Sequence, residues 1–159
     1  MQRIGFGTDI HRLVEDRPLT IGGITIEHQK GADGHSDADV LLHAITDALL
    51  GSLALGDIGT HFPDTEPRWQ NVESSEFLLY AGGLLRERGY HVVNVDCVID
   101  LETPKLRPHL AGMQENIAKC LDIDVSAVSI KAKTGEGIDA VGEGRAIRAQ
   151  AVVLVSEGT

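Results

Sequence analysis

Apolar residues recur at helical spacing most clearly at Val40, Leu41, Ala44, Ile45, Ala48 and Leu49, within residues 34–59. They predict a core-facing stripe on an amphipathic helix. Ser36, with Asp39 three residues on, reads as a capping pair that starts this helix near Asp37. Asp39, His43 and Asp47 follow at i, i+4 and i+8, a second stripe with an imidazole between two carboxylates. That pattern suits a metal ligand supported by the acidic residues beside it.

The rest of the pattern predicts a mixed fold. Residues 3–13 alternate as a strand interrupted by Gly5 and Gly7, where another backbone or a ligand can come close. Residues 18–27 form two β-prone arms around Gly22-Gly23, a hairpin signal, and residues 27–34 read as a polar connection. Glycine, proline and carboxylates mark residues 56–71 as a long, irregular and mobile loop. Helical periodicity returns over residues 73–88, with Phe77, Leu78, Ala81, Leu84 and Leu85 inward and Gly89 as the stop. A valine-rich strand over residues 91–100 follows. Pro108 then opens a helix with Leu110, Met113, Ile117 and Leu121 inward. Residues 128–133 and 145–155 are strands around a glycine-rich segment, residues 134–144. No repeat or linker interrupts the chain. The expectation is an α/β (α+β) single domain, residues 1–159, with helices on one face of a mixed sheet plus a small hairpin.

Composition narrows the function. A net charge of −10 is wrong for a surface that binds nucleic acid backbones, and 4% aromatics is too few for a base-stacking platform. A phosphorylated substrate must therefore be held by local devices such as metals, backbone amides and a few basic residues. Cys97 and Cys120 lie far apart without a paired motif, as expected in a reducing cytosol, and read as buried apolar residues. The first residues lack an apolar signal segment and the longest apolar run covers residues 151–155, so neither a signal peptide nor a membrane span is expected.

Asp9 and His11 sit two apart on a strand and so share a face. With His43 they make a nitrogen and oxygen ligand set suited to zinc, with a fourth position open. A strand-end ion pair and a satisfied histidine also fit these residues. His35-Ser36 lies at a helix mouth, where amides attract phosphate, although capping alone accounts for Ser36. Asp57-Ile58-Gly59 and Asp64 suit sugar hydroxyls or a hydrated divalent ion, or are simply solvated acids. Residues 103–105 and 131–136 are basic islands in an acidic chain.

Four motifs, GFGTDIH from Gly5, GHSDADVLLHAITDALLG from Gly34, GDIGTHFPDT from Gly56 and KAKTGEG from Lys131, span nearly the whole chain. In this order and spacing the chain resembles the 2-C-methyl-D-erythritol 2,4-cyclodiphosphate synthases of the non-mevalonate isoprenoid pathway. The resemblance implies a lyase in which Asp9, His11 and His43 hold zinc, while His35 and Thr134 stabilise the transition state. It assigns Ser36 to the phosphates and methylerythritol, and Asp57, Ile58 and Gly59 to the sugar hydroxyls. Phe62, Pro63, Asp64, Thr65 and Glu66 line the same pocket, and Glu136 helps hold magnesium or manganese. The cytidine pocket falls to Leu101, Glu102, Thr103, Pro104, Lys105, Leu106 and Arg107, together with Ala132, Lys133 and Gly135.

The implied reaction closes a cytidine diphosphate methylerythritol 2-phosphate into the cyclic diphosphate with loss of CMP. The nucleophile is then the substrate's own phosphate, and no activated serine or cysteine is evident in the chain. The family resemblance further implies a cytoplasmic homotrimer, or a plastid stromal one, with active sites between subunits. A zinc-dependent phosphoester hydrolase and a noncatalytic nucleotide- or metal-binding protein are the competing readings. Departures from the family pattern cluster late. Lys133-Thr134-Gly135-Glu136 replaces Thr-Thr-Thr-Glu, and Ala140 and Glu143 replace a Phe and an Arg, with Arg145 following. These leave open whether a trimer cavity binds an isoprenoid diphosphate. Ala38 stands where a Gly is usual.

Overall fold

Two glycines on one strand decide how the layers meet. In the computed structural model, which describes residues 1–158, the alternating amino-terminal segment forms β1 (Gln2–Glu15). A Cβ on Gly5 would lie 1.7 Å from the Ala48 carbonyl oxygen, and one on Gly7 would lie 2.0 Å from that of Ala44. Both carbonyls belong to α1 (Val40–Ser52), whose backbone therefore rests directly on β1. Odd-numbered positions of β1 face this helix. Ile4, Phe6 and Ile10 face away and remain exposed.

The sheet order is β4 (Lys30–Ala32), β1, β7 (Ala146–Glu157), β5 (Tyr90–Asp100), β6 (Val128–Lys133). Only β5 and β6 pair in parallel, and α4 (Leu110–Leu121) makes the crossover that parallel pairing requires. The remaining ladders are antiparallel. The expected hairpin forms separately from β2 (Leu19–Ile21) and β3 (Ile24–Ile26). With α3 (Ser74–Glu87), the helices α1 and α4 cover one face of the mixed sheet. Exposed Ile4, Phe6 and Ile10 on β1 and Val152 on β7 leave an apolar strip on the other. Among the described residues no helix is long and apolar enough to cross a membrane.

Several elements differ from expectation. The segment read as a polar connection contains β4, a strand too short for a period to be visible in it. The loop over residues 56–71 is largely built. It holds α2 (Ile58–His61), capped by the Asp57 carboxylate accepting from Thr60 N at 2.8 Å, and a 3-10 turn, Pro67–Trp69. Phe62 anchors it, buried 4.3 Å from Phe77 and 5.0 Å from Trp69 between ring centroids. Pro108 opens a 3-10 turn, Arg107–His109, ahead of α4, and the glycine-rich segment carries a short α5 (Asp139–Gly142). Leu84 and Leu110 are only partly buried, as is Cys120, whereas Cys97 is buried and its thiol is pushed up to about 12 by burial.

The start of α1 is the main correction. Asp39, not Ser36, is the N-cap, and helix geometry begins at Val40 rather than near Asp37. Ala38 at φ 56° turns the chain between the two candidates, and Ser36 accepts from the Ala38 amide without capping the helix. The buried Asp39 carboxylate accepts from Leu42 N at 3.1 Å, Gly22 N at 2.9 Å and Gly23 N at 2.7 Å. One side chain thus caps the helix and pins the hairpin turn. Burial pushes its carboxyl up to about 6, opposed by the Gly23 and Leu42 amides. Asp39→Ala strands three amides and is expected to cost about 3 kcal/mol of unfolding free energy, read by urea denaturation. An unchanged midpoint would remove Asp39 from this role.

Candidate metal centre

Because α1 lies flat on β1, His43 comes down beside the strand positions that follow Gly7. Asp9 Oδ2 lies 2.8 Å from His11 Nε2 and 3.0 Å from His43 Nδ1, and the two nitrogens are 3.3 Å apart. The outer nitrogens fix the tautomers. His11 Nδ1 is 2.9 Å from the Asp33 carbonyl oxygen, which can only accept, so Nδ1 carries the proton. His43 Nε2 is 2.8 Å from Ser74 Oγ, whose own proton goes to Asp37. Nε2 of His43 is therefore the donor.

Two imidazole lone pairs and a carboxylate oxygen consequently point at one another. Such an arrangement is repulsive unless a cation sits among them, and two nitrogens with one oxygen fit a borderline divalent metal. Among the described residues this is the cluster whose ligand atoms converge within 4.8 Å. Protonation of the rings is the other way to bring in positive charge. Burial works to raise the Asp9 carboxyl, but hydrogen bonds from doubly protonated His11 and His43 hold it well below the usual carboxylate range. Burial works to lower His11, yet its contacts with Asp9 raise it above the ordinary histidine value.

The cluster forms the floor of a cavity of about 400 Å³. Its lining also includes His35, Ser36, Ile58, Gly59, Phe62 to Thr65, Trp69 and Phe77. The Trp69 indole nitrogen is buried without a hydrogen-bond partner. A larger cavity of about 650 Å³ opens between the hairpin, α3 and α4, reaching Asp37, but holds none of the three clustered ligands. Its size is no reason to prefer it as the reactive centre.

Other expected site residues sit elsewhere. Asp39 is committed to the three amides already described, and Asp47 accepts from Ile58 N at 2.7 Å, holding the start of α2. Neither supports His43 as its stripe implied. Asp57 caps α2 and Glu66 pairs with Arg68 at 2.5 Å, both outside the cavity lining. Residues 101–107 and 132–136 form a second constellation at the ends of β5 and β6. There the Glu102 carboxylate accepts from Gly135 N at 2.8 Å and the Thr134 hydroxyl donates to Glu136 at 2.8 Å. With β7 between β1 and β5, and β6 one strand further on, about 10–14 Å of sheet separates this constellation from the Asp9 strand. None of its residues lines the metal cavity within one chain. Ser74, hydrogen-bonded to His43 and to Asp37, and the lining residues Trp69 and Phe77 carry no spacing signal that would have found them.

A side-chain cluster that could hold a metal ion, lining a cleft with both aromatic and polar walls, fits an enzyme acting on a small polar molecule. Residues 2–156 match the model of the YgbB family, and the chain belongs to that family. It is 56% identical over 155 residues to the 2-C-methyl-D-erythritol 2,4-cyclodiphosphate synthase of Chloroherpeton thalassium, covering 98% of this chain and 99% of that one. A synthase of the same name solved with CDP bound superposes with a TM-score of 0.90 at 41% identity, covering 97% of this chain and all of that one (100%). The bifunctional IspDF of Campylobacter jejuni superposes with a TM-score of 0.95 at 37% identity, 99% of this chain spanning 43% of its length.

Proposed function

We infer that the chain converts 4-diphosphocytidyl-2-C-methyl-D-erythritol 2-phosphate into 2-C-methyl-D-erythritol 2,4-cyclodiphosphate and CMP. The observation that carries this reading is the convergence of Asp9, His11 and His43 beneath the cleft of a YgbB-family chain. An oxygen of the 2-phosphate attacks the β-phosphorus, the bond from that phosphorus to the CMP oxygen breaks, and CMP leaves with the electron pair. Such in-line transfer demands positioning and charge neutralisation more than covalent help.

Asp9, His11 and His43 are the residues that would hold zinc, which supplies Lewis acidity toward phosphate oxygens when bound. His35 and Ser36, in the cavity lining, orient the phosphates. Asp57 and Gly59 take the sugar hydroxyls, with residues 62–66 beside them. Thr134 and the 101–107 and 132–136 segments serve the diphosphate and cytidine, with Glu136 helping hold a magnesium or manganese ion. Because one chain keeps these segments apart from the metal cluster, a neighbouring copy must supply them. The exposed Ile4, Phe6, Ile10 and Val152 strip is a fitting surface for that copy, and supports a homotrimer. We place this single-domain synthase in the cytoplasm, consistent with its two unpaired cysteines.

The hydrolase reading needs a general base beside the metal. Its two carboxylate candidates, Asp39 and Asp47, are already accepting from backbone amides. Phosphorus NMR of metal-replete protein with the cytidine diphosphate methylerythritol 2-phosphate separates the outcomes. Equal amounts of CMP and cyclic diphosphate are expected, and both should vanish with chelator. Inorganic phosphate would favour the hydrolase, and intact substrate would reduce the chain to a binding protein.

A further inference from the structure

We propose that Ser74, held by Asp37, is a positioning residue that sets the tautomer and orientation of His43 for metal binding. The proposal rests on the reading of Asp9, His11 and His43 as ligands. Ser74 is completely buried, its Oγ lying 2.8 Å from His43 Nε2. The Asp37 carboxylate accepts from both the hydroxyl and the backbone N–H of Ser74, the latter at 3.1 Å. Asp37 itself is fixed, its amide donating to Val72 O at 3.1 Å and its carboxylate accepting from Asp39 N at 3.1 Å.

The direction of this chain follows from donor counting. A carboxylate can only accept, so the single Ser74 hydroxyl proton goes to Asp37. The Ser74 oxygen is then left as an acceptor for His43 Nε2–H, which leaves the Nδ1 lone pair aimed at Asp9 and His11. With a cation at the cluster, the opposite tautomer would turn an N–H toward it and set two lone pairs against each other at Ser74. Ser36 Oγ, at 3.1 Å from the same nitrogen, adds an acceptor but has no carboxylate behind it. Phe77, three residues after Ser74 on α3, meets the imidazole at 5.9 Å between centroids in a tilted contact, so one helix touches the ring at two points. Asp39 and Asp47, nearer in the helix pattern, do not reach it.

A structural alternative exists. Glu73 makes no side-chain cap to α3, and Asp37 caps that helix through the Ser74 amide. Ser74→Ala keeps that backbone contact and deletes only the hydroxyl, and Ser74→Thr restores a hydroxyl. Cobalt(II) is titrated against a competing chelator and followed by its visible absorption. Cobalt affinity should fall about 10- to 100-fold in Ser74→Ala and recover to within a few-fold in Ser74→Thr, while the metal-free unfolding midpoints stay close. Parent-like cobalt affinity in Ser74→Ala overturns the proposal. Failure of the unsubstituted protein to bind cobalt instead overturns the ligand reading itself. The unsubstituted, zinc-loaded protein gives an independent test through long-range proton–nitrogen correlation of His43. A proton on Nε2 with Nδ1 on the metal is expected, and metal on Nε2 with the proton on Nδ1 overturns the proposal even if the alanine variant fails to fold.

Discussion

His43→Ala protein is expected to fold and yet emerge from purification without its divalent metal and without activity. The helix that carries His43 is secured by its other positions, ten of which are buried against the sheet and α3. Loss of one largely buried imidazole, packed against Phe77 and hydrogen-bonded to Ser74, costs about 1–2 kcal/mol, within reach of an ordinary core. Metal binding has no such reserve. Disturbing a group that merely supports a ligand commonly costs 10- to 100-fold, so deleting one of three ligands should exceed about 100-fold. Elemental analysis after gel filtration, thermal melts of metal-free proteins and product assays read the three consequences separately. A variant that retained metal and full activity would remove His43 from the ligand set.

Gly7→Val should be among the most damaging single substitutions for the fold. Its first side-chain carbon would fall 2.0 Å from Ala44 O and 2.7 Å from Ala48 N, both backbone atoms of a helix that cannot rotate aside. α1 must lift off β1, opening the best-buried layer of the protein. That is expected to cost about 4 kcal/mol or more, at the high end for overpacking. In any fraction that folds, His43 is carried away from Asp9 and His11, so metal affinity falls with stability. Urea denaturation together with cobalt titration tests both, and parent-like values in both would mean that helix and strand tolerate separation.

Much of this geometry is legible in the sequence because it obeys simple periods. Gly5, Gly7, Asp9 and His11 share one strand face by alternation, and the stripe from Val40 to Leu49 announces the helix laid upon it. The glycines left open whether a ligand or a backbone approaches, and packing against Ala44 and Ala48 answers that. What failed did so for local reasons. Ser36 and Asp39 are both good caps, and the choice between them depends on a left-handed Ala38, which no propensity rule anticipates for alanine. Its conformation also explains why glycine is usual there. The i, i+4 rule that tied Asp39 to His43 holds only inside a helix, and Asp39 stands at the threshold as the cap. Ser74 acts through one hydroxyl, and Asp33 through a main-chain carbonyl that any residue type would provide. Neither leaves a mark in a pattern of side chains.

Trp69 is the chain's one tryptophan, set edge-on to Phe62 in the cleft wall with its ring nitrogen unpartnered. Every photon of indole fluorescence therefore comes from a single spot beside the cleft. A change in the packing around that buried N–H, or a tilt of the neighbouring phenyl ring, would shift the emission colour and intensity. Stopped-flow observation at that wavelength could time the filling and emptying of the cleft in the native chain, without a dye or a substitution.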